Sequence, residues 1–234
     1  MGAAEDAALD AWLVPRVRPR TVVRLERTDA PMAPTAARFG GTPYLVAGET
    51  WPMCVCGLPL AFICQLPVDT GLVAFYFCWD CFPQDPEPGP WTLRMYDDPR
   101  DDNAITIAQP DGARVTERCA VRFEAGRSLP VWEGRECDAP ELRALARAAN
   151  SESPWEAYTA ACERCAGPQE IVSAIGGYPH WLQSDEHPEG TRFMASVDTE
   201  EAAGITWGDV GMVYLFIADA DADAPGPLMV LQSL

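Results

Sequence analysis

The chain has 234 residues, 48% hydrophobic and 22% charged, enough to bury one full core or two small fused ones. Its formal charge is −18, with seventeen arginines and no lysine; that field repels phosphate backbones and argues against nucleic acid as the main partner. No apolar run approaches the ~20 residues needed to span a bilayer, and the start "MGAAEDAALDAWLVPRVRPR" lacks the basic-then-apolar order of a secretory signal, so a cytoplasmic protein away from membranes is expected.

Residues 3–13 read as a short helix with Ala8, Leu9, Trp12 and Leu13 on one side, ended by Pro15 and Pro19. "TVVRLERT" alternates as a strand does. Arg16, Arg18, Arg20, Arg24, Arg27 and Arg38 crowd this region and read as a solvated face, or as a docking strip for an acidic partner. "PLAFICQLP" and "GLVAFYFCW" are apolar, aromatic and bounded by Gly, Pro and Asp, as buried strands are. "CFPQDPEPGP" is too proline-rich for a central strand. "WTLRMYDD" and "AVRFEAGRS" are further strands. "DAPELRALARAANS" reads as a helix capped by Asp138, with Pro140 in its first turn and Leu142, Leu145 and Ala149 as its apolar stripe. "SPWEAYTAACERCAG" reads as a second helix, stopping near Gly167.

The chain then echoes itself. "FGGTPYLVAGETWP" (39–52) is answered by "IGGYPHWLQSDEHP" (175–188), "LAFICQLP" by "RFMASVDT", and "GLVAFYFC" by "GMVYLFIA". This order predicts an α+β, β-rich fold of two duplicated β-units related by a pseudo-two-fold axis, with a few short helices. The expected divisions are an N-terminal helix and strand extension (1–38), a first β-repeat carrying the cysteine cluster (39–137), a helical connector (138–174) and a second β-repeat (175–234).

Nine cysteines without an export signal favour thiols or metal over disulfides. Cys78-Trp-Asp-Cys81 has the two-residue gap of a metal knuckle; Cys54-Val-Cys56 is tighter by one, and Gly57 suits the turn after it. If "LAFICQ" and "LVAFYF" pair antiparallel, both cysteine pairs reach the same end, as a structural four-cysteine zinc site requires. Oxidised thiols, a site that has lost its metal, and ligand swaps drawing in Cys162 or Cys165 are the alternatives. Cys64 reads as a small core residue, and Cys119 and Cys137 as inert. Cys162-Glu-Arg-Cys165 ends a helix rather than starting one, which does not fit a thioredoxin-like centre. His180 and His187 read as structural or surface residues, and "DADADAP" (219–225), lacking a calcium loop's glycine and distal glutamate, as a solvated acidic loop.

"FGGTPYL…WPMCVCGLPLAFICQLP…GLVAFYFCWDC", followed by "IGGYPHWLQSD…ITWGDVGMVYLFI", resembles the YwqG-like family of unknown function. It is more distantly similar to the programmed cell death protein 2 family, which shares the Cys-Gly-x-Pro-Leu-x-Phe-x-x-Gln signature. The resemblance implies a β-rich duplicated fold, metal-site cysteines at Cys54, Cys56, Cys78 and Cys81, and structural glycines at Gly40, Gly41, Gly57, Gly176 and Gly177. It also marks Gln65 and the Trp207-Gly208-Asp209 turn. The chain departs in its one-residue spacing of the first cysteine pair and in Ser196, where the second half's glutamine is expected.

The resulting expectation is a zinc-stabilised, chaperone-like or immunity-like module, more a binder than an enzyme, holding a protein partner of basic character. Gln65, Trp181, Gln183, Trp207 and Asp209 are placed near a cleft between its halves. A zinc- or thiol-dependent enzyme and an RNA-processing accessory protein are the alternatives.

Overall fold

The structure is a computed structural model and describes residues 3–81, 89–219 and 226–234. In chain order its elements are α1 (Ala3–Leu13), β1 (Arg18–Arg27), β2 (Arg38–Phe39), β3 (Leu45–Val46), β4 (Ala61–Val68), β5 (Gly71–Phe77) and β6 (Trp91–Tyr96). They continue with β7 (Ala104–Ile105), β8 (Cys119–Ser128), α2 (Pro140–Ala149), α3 (Pro154–Ala166), β9 (Ala174–Ile175), β10 (Thr191–Asp198), β11 (Met212–Ala218) and β12 (Leu228–Gln232). The fold is β-rich and antiparallel, with three short α-helices among the described residues. Most of "CFPQDPEPGP" and of "DADADAP" lies outside the described residues.

Two compact units are interleaved along the chain: Met1–Val23, Phe123–Thr199 and Thr206–Leu234 form the first, Arg24–Arg122 and Glu200–Ile205 the second. In the second unit β2, β4, β5 and β6 are hydrogen-bonded in that order, and β3 pairs with β7. Its central hairpin, β4–β5, turns on Asp69 and Thr70, with Val68 opposite Gly71. The first six residues of β4 and all but the first of β5 are buried, which is why these strands read as continuous apolar runs. Gly71 is required at its place: its φ is +126°, and a side chain there would strike the Tyr96 carbonyl.

In the first unit β9, β10, β11 and β12 follow one another in the same antiparallel manner, with β1 along the other side of β9. The likeness extends to register. Arg38 and Phe39 face Gln65 and Cys64, as Ala174 and Ile175 face Ser196 and Ala195. The β4–β5 register shifts between Phe62 and Cys64, and the β10–β11 register between Phe193 and Ala195. The carbonyl of each skipped residue accepts a glycine N–H: Gly40 to Ile63 at 2.9 Å and Gly176 to Met194 at 2.8 Å.

The three helices of the first unit pack on one another through Leu9, Trp12, Leu13, Leu142, Tyr158 and Cys162. Arg164 fastens α3 to α1 through both carboxylate oxygens of Asp10, the closest at 2.7 Å. Ala8, expected on the apolar side of α1, is exposed. Asp138 does not cap α2: it closes the preceding turn, its N–H donating to the Arg135 carbonyl, and Ala139 stands at the cap position one residue later. α3 stops where expected, at Gly167, whose φ of +83° an L side chain resists.

The N-terminal arginines do not form one solvated face. Arg20 and Arg38 are buried. Arg38 donates to the carbonyls of Ala33, Pro34, Ala36 and Thr42, and its pKa is lowered by burial and by Arg118. Arg16 and Arg18 lie over the rings of Trp12 and Tyr178. Carbonyl cages and aromatic faces offset the desolvation that spacing alone could not foresee.

Candidate metal centre

The β4–β5 hairpin sets the site. Ala61 pairs with Phe77, so the segment entering β4 and the segment leaving β5 emerge side by side. The entering segment closes a tight loop: Met53 bridges Pro59, the Cys54 N–H donates to the Leu58 carbonyl at 2.8 Å, and the Gly57 N–H donates to the Cys54 carbonyl at 2.9 Å. Gly57 has φ +86° with open space around it, so backbone angle and not crowding asks for glycine. On the leaving segment the Cys78 N–H is held by the Pro90 carbonyl at 2.7 Å.

The four thiols of Cys54, Cys56, Cys78 and Cys81 converge. Cys54 Sγ lies 3.5 Å from Cys81 Sγ, Cys56 Sγ lies 3.7 Å from Cys78 Sγ, and all four sulfurs lie within 4.8 Å of one another. Thiolates bound at about 2.3 Å around a tetrahedral ion sit on edges of about 3.8 Å, so the sulfurs are spaced to hold one metal ion. The one-residue gap between Cys54 and Cys56 is no obstacle, because the tight loop brings one thiol to Cys81 and the other to Cys78. The nine cysteines are free thiols.

The surroundings favour a closed site. Cys54 and Cys78 are buried among Trp51, Leu60, Phe62, Ala74 and Tyr76, while Cys56 is exposed and gives the cluster a solvent side. Trp51 is fixed by donating from Nε1 to the Leu60 carbonyl at 2.8 Å. Burial pushes the Cys78 thiol up to about 11, and the neighbouring Cys54 thiol raises Cys81. Cys56 moves down, led by the Leu58 backbone hydrogen bond. A shared cation would displace the thiol protons, and its charge would offset the repulsion among the resulting thiolates.

Cys162 and Cys165 are not part of the four-sulfur group. Cys162 packs in the helical core, and Cys165 Sγ lies 3.8 Å from the Asp10 carbonyl. Cys64 is buried in β4, and burial raises its pKa. Among the described residues neither imidazole hydrogen-bonds a thiol: His187 Nε2 meets the Thr191 carbonyl at 2.8 Å, and His180 Nδ1 meets Arg20.

The residues placed near a cleft lie in different units. Gln65, in the second, is fully buried; its Oε1 accepts the Tyr44 N–H at 2.7 Å, and its Nε2 donates to the Pro34 and Ala36 carbonyls at 2.7 and 2.8 Å. In the first unit, Trp181 stacks on Phe216 and Trp207 is buried with its Nε1 donating to the Asp198 carbonyl at 3.0 Å. Gln183 and Asp209 are exposed and meet adjacent C-terminal residues: Gln183 Nε2 donates to the Ser233 carbonyl at 2.6 Å, and the Asp209 carbonyl accepts the Leu234 N–H at 3.0 Å. Sequence reasoning missed Trp51 and Tyr76 as walls of the sulfur cluster; their nearness in the sequence to its cysteines was the available signal.

A model of the family described as a domain of unknown function, DUF1963, matches residues 37–225. The chain belongs to that family. The match contains all four converging cysteines, Gln65 and the Trp207–Asp209 turn. No curated protein matches the chain at a significant level. Among the described residues, no helix of this DUF1963 protein is long and apolar enough to cross a membrane.

Proposed function

We propose that this DUF1963 protein is a zinc-stapled protein-binding module whose Cys54, Cys56, Cys78 and Cys81 hold one structural zinc ion. The observation that carries this reading is the convergence of four sulfurs within 4.8 Å at one end of the β4–β5 hairpin. Zinc is the metal because four thiolates in a tetrahedron suit it and leave no open position for water. When bound, the ion supplies cross-linking energy to the fold. The chain's own residues supply the rest: Gly57 shapes the loop, Trp51 and Tyr76 exclude water on one side, and the hairpin register brings the pairs together.

The binding role is supported by a closed metal site and by a net charge of −18, which draws basic partners. The motif resemblance to YwqG-like proteins, and the matching register of the two β-meanders, support a duplicated β-unit as the binding scaffold. The role is tested by capture from cell extract at low and at high salt. The reading predicts specific retention of a basic protein, weakened by salt. Retention of nothing beyond what an equally acidic control protein captures contradicts it.

A further inference from the structure

The first unit contains a cavity of about 330 Å³ unrelated to the sulfur cluster. Its walls include Trp132, Trp155, Tyr158, Ile171, His180 and Trp181. They come from the loop after β8, from α3 and from the segments on either side of β9. Trp155 is 53% and Ile171 48% exposed, so large apolar surface stands open at its edge.

Among the described residues, the buried side-chain nitrogens and oxygens in this wall have hydrogen-bond partners, with one exception. Tyr158 Oη donates to the Pro130 carbonyl at 2.6 Å, and Thr159 Oγ1 donates to the Trp155 carbonyl at 3.0 Å. Gln169 Oε1 accepts the Leu129 N–H at 3.1 Å, and its Nε2 donates to the Gly167 carbonyl at 2.8 Å. Burial pushes the Cys162 thiol up to about 12, so it stays protonated. The exception is His180, 6% exposed, whose Nε2 has no hydrogen-bond partner among the described residues. The Glu170 and Leu129 carbonyls favour its charged form, yet neither completes a hydrogen bond at Nε2. Burial and Arg20 outweigh them and hold the ring neutral at ordinary pH, with a pKa lowered to about 4. Arg20 Nη1 lies 3.5 Å from Nδ1. A guanidinium can only donate, so this network assigns Nδ1 as the acceptor and places the proton on Nε2.

We propose that this cavity binds a small neutral aromatic molecule whose hydrogen-bond acceptor takes the Nε2–H of His180. The size suits one or two fused rings, at the lower end of ligand pockets. Tryptophan and tyrosine walls offer stacking surface. An anion is opposed by Glu133 in the wall and by the overall charge, and a cation by Arg20 beside the imidazole. The inference does not depend on the metal site or on a protein client.

The test uses the full chain, with isoquinoline as the probe and naphthalene as its counterpart lacking an acceptor. Binding is followed by calorimetry and by the ring nitrogen resonances of His180. Isoquinoline is expected to bind saturably and roughly five-fold more tightly than naphthalene, the worth of one hydrogen bond, while shifting the Nε2 resonance. Trp155→Ala, at an exposed helix position, is expected to weaken both probes. His180→Phe is expected to abolish the preference between them. Absence of saturable binding, equal affinity for the two probes, or an unmoved Nε2 resonance, which would leave water as its partner, overturns the proposal.

Discussion

Gln65 and Ser196 hold the same register position in the two β-meanders, and each ties its strand to the loop before the neighbouring two-residue strand. Gln65 reaches the Pro34 and Ala36 carbonyls, and Ser196 Oγ donates to the Val172 carbonyl at 3.1 Å. Ser196 makes one such bond where Gln65 makes two. Gln65→Ala leaves the buried Tyr44 N–H and two carbonyls without their partner and is expected to cost roughly 2–4 kcal/mol. Ser196→Ala gives up one bond and is expected to cost about 1 kcal/mol. Urea unfolding of the two variants checks the order, and an equal loss from both contradicts it.

Glycine substitutions separate crowding from backbone angle. Gly40 has φ +56°, and a side chain there would run into the Thr116 and Glu117 carbonyls. Gly167 has φ +83° with nothing within 4 Å. Gly167→Ala is expected to cost about 1 kcal/mol, the angular penalty alone. Gly40→Ala is expected to cost more than twice that, because backbone on both sides must shift. Thermal melts of both variants decide the comparison.

His180 gives stability a pH dependence of known sign. Its pKa is lowered from the ordinary 6.5 to about 4, so between these values the unfolded chain takes up a proton that the folded ring refuses. Stability therefore falls as pH drops from about 6.5 toward 4, by up to roughly 3 kcal/mol, and this group contributes no slope above that window. His180→Phe is expected to flatten the fall between pH 6.5 and 5. A variant that keeps the wild-type slope in denaturant titrations across that range refutes the assignment.

Removing one sulfur should uncouple the site from the fold. Cys78→Ser is expected to lower the melting temperature by several degrees and to abolish its sensitivity to chelator, which wild type retains. Cys165→Ser, at a thiol outside the cluster, is expected to leave chelator sensitivity intact. Differential scanning calorimetry with and without chelator reads both.

The sulfur cluster was legible because its causes are local. Two close cysteine pairs flank two apolar runs, and a two-residue turn brings their ends together. Helix α1 and the stop at Gly167 were legible from apolar spacing and backbone angle. Arg20 and Arg38 were misread because their cages are loop carbonyls, invisible to charge patterning. Asp138 was misread because it closes the preceding turn, one residue too early to cap α2. The cavity beside His180 was not legible, since its walls converge from residues 129–133, 155–162 and 169–181.

The central claim is tested most directly by metal analysis of the chain purified without chelator, alongside a count of reactive thiols before and after metal removal. One zinc per chain, with Cys54, Cys56, Cys78 and Cys81 becoming reactive together on its removal, is the predicted result. A metal-free protein that folds with those four thiols freely reactive from the start, and that takes up no zinc when it is offered, contradicts it.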